Sequence, residues 1–124
     1  MIAMIACAKR KAGLSLAEFN RYWIEDQAPL VRSVPQFMRH VRKYVQFHCD
    51  PDVAEGGSPF GGSVVYDGVG ELWFDSRESL KRAFEEPRYL QVIRPDELKF
   101  LDLEKCLVFI TQEFVIHDEL AGRG

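Results

Sequence analysis

Apolar positions between Leu16 and Leu30 recur at helical spacing: Leu16, Phe19, Trp23 and Leu30 form one stripe, and Glu18, Arg21 and Glu25 form the wet side. Ser15 precedes the stripe and Glu18 follows it by three residues. This is a capping box, in which the serine accepts from an early backbone N–H and the glutamate reaches back to the cap. The pattern predicts a helix that starts at Ser15 and is closed by Pro35. Arg21 and Glu25, four apart, are placed to pair. Asp26 interrupts the pattern. It falls three residues after Trp23, four after Tyr22 and seven after Phe19, so α-helical spacing points it toward the buried side. Gln27 stacks one turn beyond Trp23. A carboxylate and an amide beside two large aromatics are either a satisfied polar edge, with Asp26 paired to Arg32 or Arg39, or the polar end of a pocket.

The rest of the chain alternates between the two periodicities. Residues 1–9 form a near-continuous apolar run without a cap, which suits a buried strand. Residues 38–48 read as a second strand. Val41, Val45 and Phe47 lie on one parity with Arg39 and Lys43, and His40, Tyr44 and His48 lie on the other with Arg42 and Gln46. Residues 49–68 are a glycine- and proline-rich connection, with a brief extended piece at Val64-Val65-Tyr66. Residues 69–75 are a third strand. Ser76 then caps a helix with Leu80, Ala83 and Phe84 on its buried stripe and Glu78 paired to Arg82, and Pro87 ends it. A helical turn at Pro95-Asp96-Glu97 leads to a last strand over residues 105–116 and a polar tail.

Strand, helix, strand, strand, helix, strand is the ferredoxin-like βαββαβ arrangement, an α+β fold with a four-stranded antiparallel sheet and both helices on one face. The 124 residues fit one domain, 1–124. The first and last strands are apolar on both parities: Ile2 and Met4 against Ile5 and Cys7, Leu107 and Phe109 against Val108 and Ile110. Both sheet faces therefore want burial, and a homodimer with sheets packed face to face is expected.

Composition narrows the function classes. A net charge of -3 offers no general attraction to nucleic acid or to acidic membranes. The segment D-G-V-G-E-L-W-F superficially echoes an RNA-recognition strand, but it starts with Asp67 and puts Val69 and Glu71 where stacking aromatics belong, so no nucleic-acid partner is expected. Charges follow the N-terminal apolar run instead of preceding it, and no stretch reaches the ~20 apolar residues that span a bilayer, so a cytoplasmic protein without a membrane partner is expected. Cys7, Cys49 and Cys106 are irregularly spaced and read as reduced thiols, with no metal-binding pair among them. G-G-S-P-F-G-G lacks the Lys-Ser/Thr and the following helix of a phosphate cradle. No cofactor motif is present, so no metal and no cofactor are expected.

What remains is chemistry on a small molecule, or binding of one, in a cleft. The candidate catalytic residues are Asp26, His40, Tyr44 and His48, because imidazoles near a phenol or carboxylate can transfer protons near neutral pH. The candidate substrate-binding residues are Tyr22, Trp23, Gln27, Glu71 and Trp73. Glu71 shares strand parity with Trp73, and a mid-strand carboxylate needs a partner. The aromatics would flatten against an apolar, cyclic ligand.

Several segments together resemble the EthD family, named for a protein associated with bacterial ether degradation. They are E-F-N-R-Y-W-I-E-D-Q-A-P-L-V with Pro35, R-K-Y at residues 42–44, Y-D-G-V-G-E-L-W-F-D-S at 66–76 and D-E-L-K-F-L-D at 96–102. The resemblance implies a dimeric α+β barrel. It also implies membership of a superfamily of cofactor-free cyclases, isomerases, decarboxylases and small monooxygenases, with haem-using relatives. The family has a histidine where this chain has Gln27, and a glutamine cannot carry a proton at neutral pH. The function expected is cofactor-free acid/base chemistry of isomerase, cyclase, dehydratase or decarboxylase type on a small apolar or aromatic oxygenated compound. The alternative is a non-catalytic accessory protein of an oxidative degradation system that works with an oxidoreductase.

Overall fold

A computed structural model of the chain describes residues 1–50, 59–60 and 65–121. Strand β1 (Ile2–Ala8) is followed by α1 (Leu16–Tyr22), which runs through a wide π-helical turn at Trp23–Gln27 into α2 (Ala28–Arg32). The short α3 (Pro35–Met38) and the strands β2 (Lys43–His48) and β3 (Gly68–Phe74) come next. The second half holds α4 (Arg77–Glu85), a second π-helical turn at Tyr89–Ile93, α5 (Arg94–Phe100) and β4 (Leu107–Gln112). All strand pairs are antiparallel, in the order β2-β3-β1-β4. This is the α+β, four-stranded, ferredoxin-like arrangement that the alternation of periodicities predicts.

The local signals act as expected where backbone chemistry decides. Ser15 Oγ accepts from Glu18 N at 3.0 Å and Glu18 Oε1 accepts from Ser15 N at 3.1 Å, closing the capping box. Ser76 caps α4, and Arg82 pairs with Glu78 at 2.8 Å. The second strand is shorter than residues 38–48. Pro35 does not end the first helical region but occupies the first turn of α3, where its missing N–H costs nothing, and strand pairing starts only at Lys43. The last strand stops at Gln112. Of the glycine-rich connection, residues 51–58 and 61–64, including Val64 of the extended piece, lie outside the described residues.

Strand register divides the sheet cleanly. Met4, Ala6, Ala8, Gly68, Gly70, Leu72, Phe74, Tyr44, Gln46 and His48 share the helix-covered face. Ile5, Cys7, Val45, Phe47, Val69, Glu71, Trp73, Leu107 and Phe109 share the other, which no helix covers. Beneath the helices two apolar clusters form. One gathers Val31, Val34, Phe37, Val41, Phe74, Ala83, Tyr89 and Ile93, and the other gathers Ala8, Phe19, Trp23 and Phe100. No helix among the described residues is long and apolar enough to cross a membrane.

Candidate active site

The two clusters do not close on each other. On the helix-covered face β1 presents Ala6 and Ala8, and β3 presents Gly70, so small or absent side chains leave space between the aromatics above them. The result is a cavity of about 110 Å³ with apolar walls from Met4, Val31, Phe37, Leu72, Ile93 and Phe100. Polar side chains reach it at Gln27, Tyr44, Tyr89 and Glu97. A roomier outer groove of about 550 Å³ runs between the first helical region and β2, and Tyr44 is common to both spaces.

The first wide turn builds one wall. Ala28 N–H donates to Trp23 O, five residues back, so the turn holds one residue more than an α-helical turn. Side chains beyond it are rotated relative to an uninterrupted α-helix. The inward positions become Phe19, Trp23, Gln27 and Val31, each four residues from the last, and all are buried. Asp26 is carried outward and is exposed, and Leu30 gives its inner place to Val31. The expectation that Asp26 points inward is thus corrected, because it assumed unbroken α-helical spacing. Trp23 lies flat on β3. A Cβ at Gly68 would come within 2.6 Å of Trp23 Cζ3, and one at Gly70 within 3.3 Å of Cζ2. This close approach explains the D-G-V-G pattern. Asp67 serves the sheet instead. Its buried carboxylate accepts from Arg10 N and Arg10 Nη1, both at 2.7 Å, and ties the end of β1 to β3.

Strand β2 brings three polar side chains to Trp23 and Gln27. His48 stacks on Trp23 with ring centroids 4.8 Å apart, and its Nε2 donates to Gln46 Oε1 at 2.8 Å. Gln46 Nε2 donates to Tyr44 Oη at 2.8 Å and to Trp23 O at 3.1 Å. Tyr44 in turn donates to Gln27 Oε1 over a long 3.4 Å. Burial pushes the Tyr44 phenol above its ordinary range, so it stays protonated and is a donor at neutral pH. Burial pushes the His48 imidazole down, so it is neutral there.

The second wide turn builds another wall and leads to a residue that pattern reading missed. Arg94 N–H donates to Tyr89 O across five residues, and Glu97 follows on α5. Tyr89 Oη donates to Glu97 Oε1 at 2.8 Å, and Arg94 Nε donates to the same oxygen at 3.0 Å. Oε2 takes no hydrogen bond among the described residues. Burial raises the Glu97 carboxyl above the usual carboxylate range, against the opposing pull of Tyr89 and Arg94. The available signal was spacing. Glu97 lies four residues after Ile93 and eight after Tyr89, on the same buried stripe, as a carboxylate where an apolar residue is expected.

The other expected site residues lie elsewhere. Tyr22 packs on Phe100 at 5.0 Å and donates to the buried Asp96, which locks α1 to α5 outside the cavity lining. His40 is not on a strand. It donates to Glu86 Oε1 at 2.8 Å, and Arg39 reaches the same oxygen at 2.6 Å, forming an ion cluster at the far end of α4. Glu71 and Trp73 share the open face: Trp73 Nε1 donates to Glu71 Oε1 at 3.2 Å, and Lys43 Nζ stands 5.6 Å over the indole. Of the nine expected residues, the structure therefore gathers Trp23, Gln27, Tyr44 and His48; Glu71 borders the cavity on β3 while its side chain serves the open face, and Asp26, His40, Tyr22 and Trp73 lie apart. No group of three or more His, Cys, Asp or Glu is placed to hold a metal ion among the described residues.

Comparison with known proteins places this geometry in a family context. The EthD domain profile matches residues 11–104. A conidial pigment biosynthesis dehydratase EthD of Metarhizium robertsii is 25% identical over 114 residues, covering 89% of this chain and 80% of the relative. An ethyl tert-butyl ether d (EthD) family protein of Bacillus halodurans superposes with a TM-score of 0.65 at 23% identity, over 92% of this chain and 99% of its own. A dimeric protein of unknown function and ferredoxin-like fold from Bacteroides fragilis superposes at 0.61 with 11% identity, over 90% and 95%.

Proposed function

The chain belongs to the EthD domain family, and from that premise we propose that it is a proton-transfer enzyme of dehydratase type. It would act without a cofactor on a small apolar or aromatic oxygenated compound held between the helices and the sheet. The observation that carries this reading is the convergence of the Gln27 amide and the Tyr44 hydroxyl on a cavity with mostly apolar walls. Tyr44 is the hydrogen-bond donor to the substrate oxygen. Gln46 fixes its hydroxyl and His48 fixes Gln46, so His48 is a positioning residue that acts through this chain. Trp23 and Phe100 supply flat walls for a ring. Gln27 supplies a hydrogen bond and no proton, so the family's histidine has no direct replacement at its own position. Asp26 and His40 have no role in this reading. The dehydratase class is supported by the relative from Metarhizium robertsii.

The test is a panel of small aromatic β-hydroxy carbonyl compounds, with loss of water followed by product absorbance. Turnover by the wild type that falls about 100-fold in Tyr44→Phe supports the reading. Compounds that change the tryptophan emission of the wild type but not of Trp23→Phe, and are never turned over, would replace it with the accessory, ligand-carrying role. The open sheet face supports a homodimer in which a second copy covers Phe47, Leu107 and Phe109, each about half exposed in the single chain. Sedimentation as a monomer at micromolar concentration would remove that part.

A further inference from the structure

Dehydration needs a group that takes a proton from carbon, and none of Gln27, Tyr44, Gln46 or His48 is placed to do so inside the cavity. We propose that Glu97 is the acid–base catalyst of this site, with Tyr89 and Arg94 as positioning residues that hold one carboxylate oxygen and leave the other for the substrate. This rests on the proposed function, in which the cavity performs proton transfer.

The geometry supports the assignment at each atom. Both hydrogen bonds fall on Oε1, so the carboxyl group is fixed in orientation while Oε2 keeps its lone pairs. The side chain is 19% exposed and lines the cavity. The titratable and charged groups around it are Tyr89 and Arg94, the adjacent Asp96, and Tyr44 and Cys106, whose own groups are raised first by burial and further by its charge. Burial makes this carboxylate a stronger base than a surface one, and Tyr89 and Arg94 pull against that rise.

The step balances with no further reactant. Glu97 Oε2 removes a proton from the carbon beside a carbonyl, while Tyr44 donates a hydrogen bond to the carbonyl oxygen as charge builds on it. The enolate that forms expels the β-hydroxyl. That hydroxyl takes the same proton from Glu97 and leaves as water, a carbon–carbon double bond forms, and Glu97 returns to carboxylate. One carboxyl group serves in both directions.

Proton abstraction can be read without the natural substrate. Acetophenone and 2-hydroxyacetophenone in deuterated buffer lose their α-proton NMR signals if a base in the cavity acts on them. The wild type is expected to catalyse exchange, and Glu97→Gln, which keeps an oxygen for Tyr89 and Arg94, is expected to lower it about 100-fold or more. Glu97→Asp should restore part of the rate. In Arg94→Gln the acidic limb of the pH profile should move to higher pH, an effect that loss of packing alone would not produce. Circular dichroism and tryptophan emission check that each variant is folded. Exchange by folded Glu97→Gln at the wild-type rate overturns the assignment and leaves the proposed function standing, particularly if Tyr44→Phe is slow. Absence of exchange by the wild type overturns both.

Discussion

The turns at Trp23–Gln27 and Tyr89–Ile93 each widen one helical turn to five-residue hydrogen bonding, and each begins at a buried aromatic facing the cavity. They deliver different chemistry. The first turn brings in an amide and meets neutral partners from β2, namely Tyr44 and Gln46. The second leads into an ionic set, Arg94 and Glu97, bridged by the Tyr89 hydroxyl. A neutral amide needs only a hydrogen bond to be tolerated inside, while a carboxylate needs a charged or donor partner at its own oxygen. The first wall is therefore held mainly by packing, and the second by polar contacts that also tune an acid.

Core truncation should produce the largest contrast. Trp23→Ala removes the indole that covers Gly68 and Gly70 and stacks on His48, and is expected to cost about 3–5 kcal/mol in urea unfolding. Tyr89→Phe keeps the ring and removes only the hydroxyl that bridges Glu97 and Arg94, so about 1–2 kcal/mol is expected. Equal costs would break the distinction between a packed wall and a polar one.

The pH dependence of stability should separate the walls by sign. The Glu97 carboxyl is raised in the folded protein, so the folded state holds its proton more tightly. Its contribution favours folding at low pH and is lost as pH rises above the ordinary carboxyl value near 4.5. The His48 imidazole is lowered, so its contribution is present above about 6.5 and is lost as pH falls through the depressed folded value. Thermal melts from pH 4 to pH 8 should therefore show Glu97→Gln gaining on the wild type at the alkaline end and His48→Gln gaining at the acidic end. A common direction for both variants would contradict the opposite burial effects.

The smallest effect sharpens the backbone reading. Asp26→Asn should leave stability within about 0.5 kcal/mol and leave exchange with acetophenone unchanged, because the turn carries Asp26 to the surface. A large loss in either would mean that the helix keeps α-helical spacing past Trp23 in solution.

Much of the fold and part of the site were legible along the chain. The capping box, the Ser76 cap and the Glu78–Arg82 pair depend on neighbours within one turn, so short windows report them faithfully. Trp23, Gln27, Tyr44 and His48 were recoverable because one helix and one strand each present them with simple periodicity. Periodicity misled where that assumption broke. An extra residue in the turn exchanged Asp26 for Gln27 and Leu30 for Val31. Pro35 opened a helix, which left His40 short of the strand. Glu71 and Trp73 were read with the cleft because their own parity says which residues travel together, but not which face the helices will cover.

The sequence by itself determined the order of elements, the antiparallel sheet, the caps and the family, since each follows from local backbone chemistry or from residues at fixed spacing. Only the tertiary structure decided which side of the sheet carries the cavity, that Ala6, Ala8 and Gly70 open it, and that Glu97 enters it from the far end of the chain to face Tyr44. Those outcomes depend on register between strands and on the phase of two widened turns. Both are settled by how side chains from distant segments pack, and no single segment contains that information.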